Sequence, residues 1–246
     1  MLLPNNFSEI TFAAYQRWQM ACMQNAEISD IEQLEALTGE SVTVFINEWL
    51  KKEKDYVAKL FAGQSTSFAK ASDSITVMLD GKTVELSKGE NLFDMSFGAN
   101  QQIMELVDNL NKSIYEDQTY IDLEATVKGM NYEEATPEQL EAITELSNMQ
   151  VLKSLEILPD LYAWTLVSKA NQAVTEENKT KALDVINNLL AHKIVPIFDA
   201  FFLSKLRYKL YQEPQQWFFL FIEQLIACSC ASDRYILMKR ILTREP

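Results

Sequence analysis

The sequence predicts a mainly α-helical protein: an irregular helical bundle with one small antiparallel β-hairpin at about residues 74–87. Three observations predict this. Apolar residues recur at three- and four-residue spacings over most of the chain, the period of one face of an α-helix. Gly and Pro number only six each in 246 residues, too few for a turn-rich β-sandwich or a long linker. One segment alone alternates apolar and polar residues around an Asp-Gly turn.

The elements follow in chain order. A first helix starts near Thr11 and carries Phe12, Tyr15, Trp18 and Met23. A short second helix opens with a capping box, Ser29 with Glu32, and Gly39 closes it in a left-handed conformation. A longer helix is expected from Ser41 to Phe61, with Phe45, Trp49, Tyr56 and Leu60 on one face and Gly63 at its end. Gln64 to Asp73 is rich in Ser and Ala and reads as a loop. In the hairpin, a type I′ turn at Asp80-Gly81 sets Val77 against Val84 and Ile75 against Leu86. A lone hairpin is marginal in water, so it must pack on helices.

A helix from about Ser96 or Ala99 to Tyr115 comes next, carrying Ile103, Leu106, Val107 and Leu110. The acidic stretch Glu116 to Glu134 shows little period and reads as mostly loop with a short helix. Thr136, Pro137 and Gln139 mark a strong helix start. Its apolar residues, from Leu140 to Leu155, recur every three positions, so the stripe drifts by about 60° per step and the helix should touch several neighbours. Pro159 is expected to end or kink it. Further helices are expected from Leu161 to Ala170, from Lys181 to about His192, from Phe198 to Tyr211 after a break at Pro196, and from Trp217 to Cys230. An amphipathic basic tail, Arg234 to Arg244, closes the chain. The organisation reads as an N-terminal helical segment (1–63), the hairpin plus a helix (64–135) and a C-terminal helical segment (136–246), forming one compact unit.

Composition narrows the function. The net charge is −13, a field that repels phosphate backbones, so nucleic acid and anionic membranes are not expected partners. From Lys193 onward the chain carries eight Lys or Arg against five Asp or Glu, so its first 192 residues hold −16. The three cysteines, Cys22, Cys228 and Cys230, lack paired spacing and give no disulfide framework. The opening MLLPNNFSEI has no signal-peptide pattern, and the apolar run Trp217 to Ala231 is interrupted by Glu223 and Gln224 and is too short to span a bilayer. A cytoplasmic protein is the expectation, in the host cytoplasm if the chain is viral.

Catalytic chemistry finds little support. His192 is the only histidine. It is expected near a helix end, and no nucleophile elbow accompanies it. Cys228 and Cys230 would point about 200° apart on a helix, so burial among apolar residues is favoured over zinc. No phosphate-binding glycine pattern occurs. No cofactor and no metal is therefore expected. A site built from dispersed carboxylates would predict a deep polar pocket. The aromatic groups Phe201-Phe202 and Trp217, Phe218 and Phe221 are read first as core. Consecutive aromatics cannot all face inward on one helix, however, so these residues, with Arg240 of the tail, are the candidate partner-binding set.

Four ordered segments carry a resemblance. "EITFAAYQRW" is a Leu/Ile-Thr followed by an aromatic-rich helix, and "ISDIEQLEALTGES" is a short helix ending in Leu-Thr-Gly. "ITVMLDGKTVEL" with "NLFDMSFGANQQIMEL" is a strand-turn-strand leading into a Met-Ser-Phe-Gly helix start. "VLKSLEILPDLYAWTL" and "IVPIFDAFFLSKL" complete the set. Over Ile10 to Leu210 the chain resembles a family of tailed-phage baseplate-hub and tail-assembly chaperones. It departs where Ala99-Asn100 replace an acidic and aromatic pair, and where a Tyr-Arg-Pro-like close is absent after Leu161. The resemblance implies a non-enzymatic assembly factor that binds other phage tail or baseplate proteins and has no catalytic residues. A structural component of the tail or baseplate, or a host-directed binding protein, are the alternatives.

Overall fold

The computed structural model describes residues 3–25, 27–43, 46, 55–87, 95–128, 130 and 135–197. Its elements, in chain order, are a 3-10 turn Phe7–Glu9, α1 Phe12–Gln24, α2 Asp30–Thr38, α3 Tyr56–Phe61, α4 Gln64–Ala69, β1 Ser74–Leu79 and β2 Lys82–Ser87. They continue with α5 Phe97–Tyr115, α6 Gln118–Val127, α7 Pro137–Lys169 and α8 Glu176–Asn188. The chain is mainly helical with a single two-stranded antiparallel sheet among the described residues. The residues divide into two compact units. Of the described residues, one unit holds those up to Met104 and 158–197, the other Glu105–Ile157.

In the first unit, α1 begins where Thr11 accepts a bond from the Ala14 amide. It buries Phe12, Tyr15 and Trp18 at the spacing the sequence predicts. The capping box on α2 is present in both directions, and Gly39 closes the helix at φ 71°. Arg17 ties the two helices together. Its Nε and Nη2 donate to the Ala36 and Leu37 carbonyls at 3.0 and 3.1 Å, where a cation also complements the helix dipole. The aromatic side chains form one cluster: Trp18 stacks on Phe61 at 3.8 Å, and Phe7 meets Tyr15, Phe61 and Phe68.

The hairpin has the predicted register, Ile75 opposite Leu86 and Val77 opposite Val84. Asp80 and Gly81 both have positive φ, at 49° and 75°, as a type I′ turn requires. Val77, Leu79, Val84 and Leu86 are buried, while Thr76, Met78, Thr83 and Glu85 face out. The inner face packs against α8, which supplies the helix a hairpin needs. Near the N-terminus, backbone bonds Phe12 N to Leu189 O (2.7 Å) and Ala191 N to Ile10 O (2.8 Å) lace residues 10–12 to 189–191.

In the second unit, Ile114 of α5, Tyr120 of α6 and Leu146 of α7 share a core with Leu110, Leu123, Val127 and Met149. The Gln150 amide donates to the buried Tyr120 hydroxyl at 2.9 Å. The capping box at the start of α7 forms as expected: Thr136 N meets Gln139 Oε1 at 3.0 Å, and Gln139 N meets Thr136 Oγ1 at 3.3 Å.

Several local expectations are corrected. The helix expected over 41–61 is interrupted, because Asp55 adopts φ 63° immediately before α3. Gly63 lies at the end of that helix as expected, just past Phe61 and at φ −92°, and precedes α4. Gln64 to Ala69 is a helix and not a loop. Tertiary contacts override its Ser-rich composition, since Phe68 packs on Phe7 and Tyr15, and buried Gln64 donates to the Tyr15 hydroxyl at 2.8 Å. The short helix expected within 116–134 is Gln118–Val127, ten residues long and capped by Asp117. Pro159 neither ends α7 nor separates it from the helix expected at Leu161. Leu161 to Val167 are all buried behind it, and that packing outweighs the roughly 3 kcal/mol a mid-helix proline costs. α8 starts at Glu176, five residues before Lys181, with Thr175 accepting from Asn178 N. Residues 191–197 are helical through Pro196.

Candidate protein-binding surface

The sequence-predicted binding residues Phe201, Phe202, Trp217, Phe218, Phe221 and Arg240 lie outside the described residues, as do Cys228 and Cys230. His192 is placed differently from its expectation. α8 ends at Asn188, so His192 lies at the start of the 191–197 helical segment, where a helix dipole disfavours a cation. Burial, then neighbouring Lys193, push its pKa below the usual value, against a bond with the Ser8 backbone. Its buried Nδ1 meets no hydrogen-bond partner among the described residues. Among those residues no three His, Cys, Asp or Glu gather in a way that could hold a metal ion. No described helix is long and apolar enough to cross a membrane.

A shallow cleft of about 280 Å³ lies between the 3-10 turn, α1 and the end of α2. Arg17, Glu9 and Glu40 line it together with Ile10 and Leu37. The Arg17 guanidinium is already committed to the α2 carbonyls, so the cleft is a seam between packed elements.

The described surface departs from an ordinary solvated one at a few apolar side chains. In the first unit these are Phe97, 84% exposed, and Met78, 64% exposed. Phe97 is held by its neighbours on both sides. Met95 and Ala99 are buried. The Ser96 amide donates to the Ser168 Oγ at 2.7 Å, and Ser168 is itself buried. A Cβ on Gly98 would come within 3.1 Å of Val174 Cγ2, so that position takes no side chain without moving Val174. The start of α5 is thus fixed to the residue 168–174 corner, and Phe97 projects from a rigid base into water.

In the second unit the exposed apolar residues are Tyr115, Ile121 and Leu140. Tyr115 meets Tyr120 edge-on at 5.3 Å. Burial first, then the carboxylate of Glu124, raise its pKa. Tyr120 is pushed up to about 12 by burial, then by Tyr115, with the Gln150 hydrogen bond opposing. The sequence from Glu105 to Ile157 holds twelve Asp or Glu against three Lys, a local net of −9.

Sequence reasoning missed Ile121 because the 116–134 stretch shows no clear period, so the short helix expected there was given no outward face; Tyr115 was placed at the end of a helix, but its exposure was not visible. Phe97 was visible in the Met-Ser-Phe-Gly segment, but its exposure was not. Comparison of the chain with models of protein families, with curated proteins and with solved structures found no match.

Proposed function

We propose that this chain is a non-enzymatic protein-binding factor that assists assembly of a phage tail or baseplate by covering a surface on a virion component. The observation that carries the binding part is Phe97. A phenylalanine 84% exposed on a base fixed by Ser168 and Val174 has little backbone freedom left to lose on docking, which is the property of an anchor residue. The acidic charge of −13 favours a basic partner surface and disfavours nucleic acid. The tail and baseplate assignment rests on the ordered resemblance over Ile10 to Leu210, in which Phe97 belongs to the Met-Ser-Phe-Gly segment.

A structural role in the particle is the second reading, since a docking anchor serves a permanent contact as well as a transient one. Mass spectrometry of purified particles separates the two. An assembly factor is absent from mature particles while it co-purifies with a tail or baseplate protein from producing cells. Presence at fixed stoichiometry in particles overturns the chaperone reading in favour of the structural one.

A further inference from the structure

The carboxylates of the described residues differ in how they are balanced: Lys153 pairs with Glu156 in the second unit at 3.6 Å. In the first unit, Lys179 bridges Asp160 (3.3 Å) and Glu176 (3.0 Å), and Lys181 bridges Asp80 (3.5 Å) and Glu177 (3.0 Å). At the corner where α5 hands over to α6, residues 112–128 contain Glu116, Asp117, Asp122 and Glu124 against Lys112 and Lys128 at the two ends, a local net of −2. Among the described residues none of these four makes an ion pair. Two large apolar side chains stand among them, Tyr115 at 50% and Ile121 at 42% exposed. They share one locality. Tyr115 packs edge-on against Tyr120 of α6 and feels the charge of Glu124, and Ile121 precedes Glu124 by three positions, a neighbouring place on the helix surface.

We propose that this corner, with Tyr115 and Ile121 exposed among the unbalanced carboxylates of Glu116, Asp122 and Glu124, is a docking surface for a basic amphipathic helix of a partner protein. Charge complementarity selects the occupant. Cationic side chains would relieve like-charge repulsion among these acids, while an apolar stripe covers Tyr115 and Ile121. The corner is built from helices whose backbone groups are already bonded, so it offers no strand edge. An incoming helix that lays an apolar face on it, with Lys or Arg at the flanks, uses what it does offer. The proposal rests on the protein-binding reading and gives that reading a second surface and a partner chemistry.

The test uses the full chain and a labelled 18-residue Lys/Leu peptide with Leu on one helical face, alongside a scrambled peptide of the same composition. Fluorescence anisotropy at two salt concentrations reads both. The expected result is at least tenfold tighter binding of the amphipathic peptide than of the scramble. Ile121→Ser should lose at least tenfold in affinity. The triple change Glu116→Gln, Asp122→Asn and Glu124→Gln should flatten the salt dependence. Ile121 is exposed, so Ile121→Ser should keep the wild-type circular dichroism and melt. Equal binding of the scramble, or unchanged affinity in both variants, overturns the proposal. The parent reading is judged separately, by capture of a tail component from producing cells. Capture that Ile121→Ser and the triple variant leave intact sinks the corner and spares that reading. A wild-type chain that captures no tail component sinks the reading and leaves the peptide result standing.

Discussion

Replacing Tyr120 by Phe tests the packing of the second unit at its polar centre. The Tyr120 hydroxyl accepts from the Gln150 amide at 2.9 Å, and both residues are 6% exposed. Removing the hydroxyl leaves the buried Gln150 amide without that acceptor. A buried donor deprived of its partner costs about 1–3 kcal/mol. For a chain of this length each kcal/mol moves the melting temperature by about 2–4 °C, so a drop of roughly 5 °C is expected. Tyr115→Phe, at a half-exposed hydroxyl, should stay within about 0.5 kcal/mol of wild type. A second readout comes from pH. Burial holds the Tyr120 pKa up at about 12, above the roughly 10 of an unfolded chain. The protonated form is favoured in the fold, so this stabilisation is complete below pH 10 and is lost as pH rises from 10 through 12. The stability gap between wild type and Tyr120→Phe should therefore narrow over that interval. A Tyr120→Phe melt within 1 °C of wild type, or a gap that holds constant from pH 10 to 12, would refute the reasoning.

Three further expectations follow from single sites. Leu34 of α2 is fully buried, and Leu34→Ala should cost about 2–5 kcal/mol in urea unfolding. Gly81 sits at φ 75° in the hairpin turn, where a β-branched residue is strained, so Gly81→Val should lower stability by about 1–2 kcal/mol in a thermal melt. Burial depresses the His192 pKa. The unfolded chain then takes up its proton first, near pH 6.5; the contribution is whole above that pH and is lost as pH falls through the folded-state value. His192→Gln should show a smaller loss of urea midpoint between pH 7.5 and 5 than wild type does.

Much of the fold was legible where the signal was local. The capping boxes at Ser29 and Thr136, the left-handed Gly39 and the Asp80-Gly81 turn all appear as expected, because each is decided by residues within four positions. Elements decided by distant partners were not legible. α4 exists because Phe68 and Gln64 find Phe7 and Tyr15, which no local composition announces. α7 runs through Pro159 because the residues behind it are buried all round. Asp55 interrupts the expected 41–61 helix by a backbone conformation that periodicity does not see. For the binding surface, the sequence pointed to the aromatic groups at 201–221 and to Arg240, which lie outside the described residues. The exposed anchors of the described part, Phe97, Tyr115 and Ile121, are ordinary members of apolar patterns until burial sorts them.

The central claim is that the chain works by gripping another protein of the tail or baseplate, with Phe97 in the contact. The most direct measurement is affinity purification of the tagged chain from producing cells, in parallel with Phe97→Ser, with quantitative mass spectrometry of what each retains. The account predicts that wild type enriches a tail or baseplate component and that Phe97→Ser, equally stable by melt, retains at least tenfold less of it. Equal recovery by both chains, or no tail or baseplate component with wild type, contradicts it.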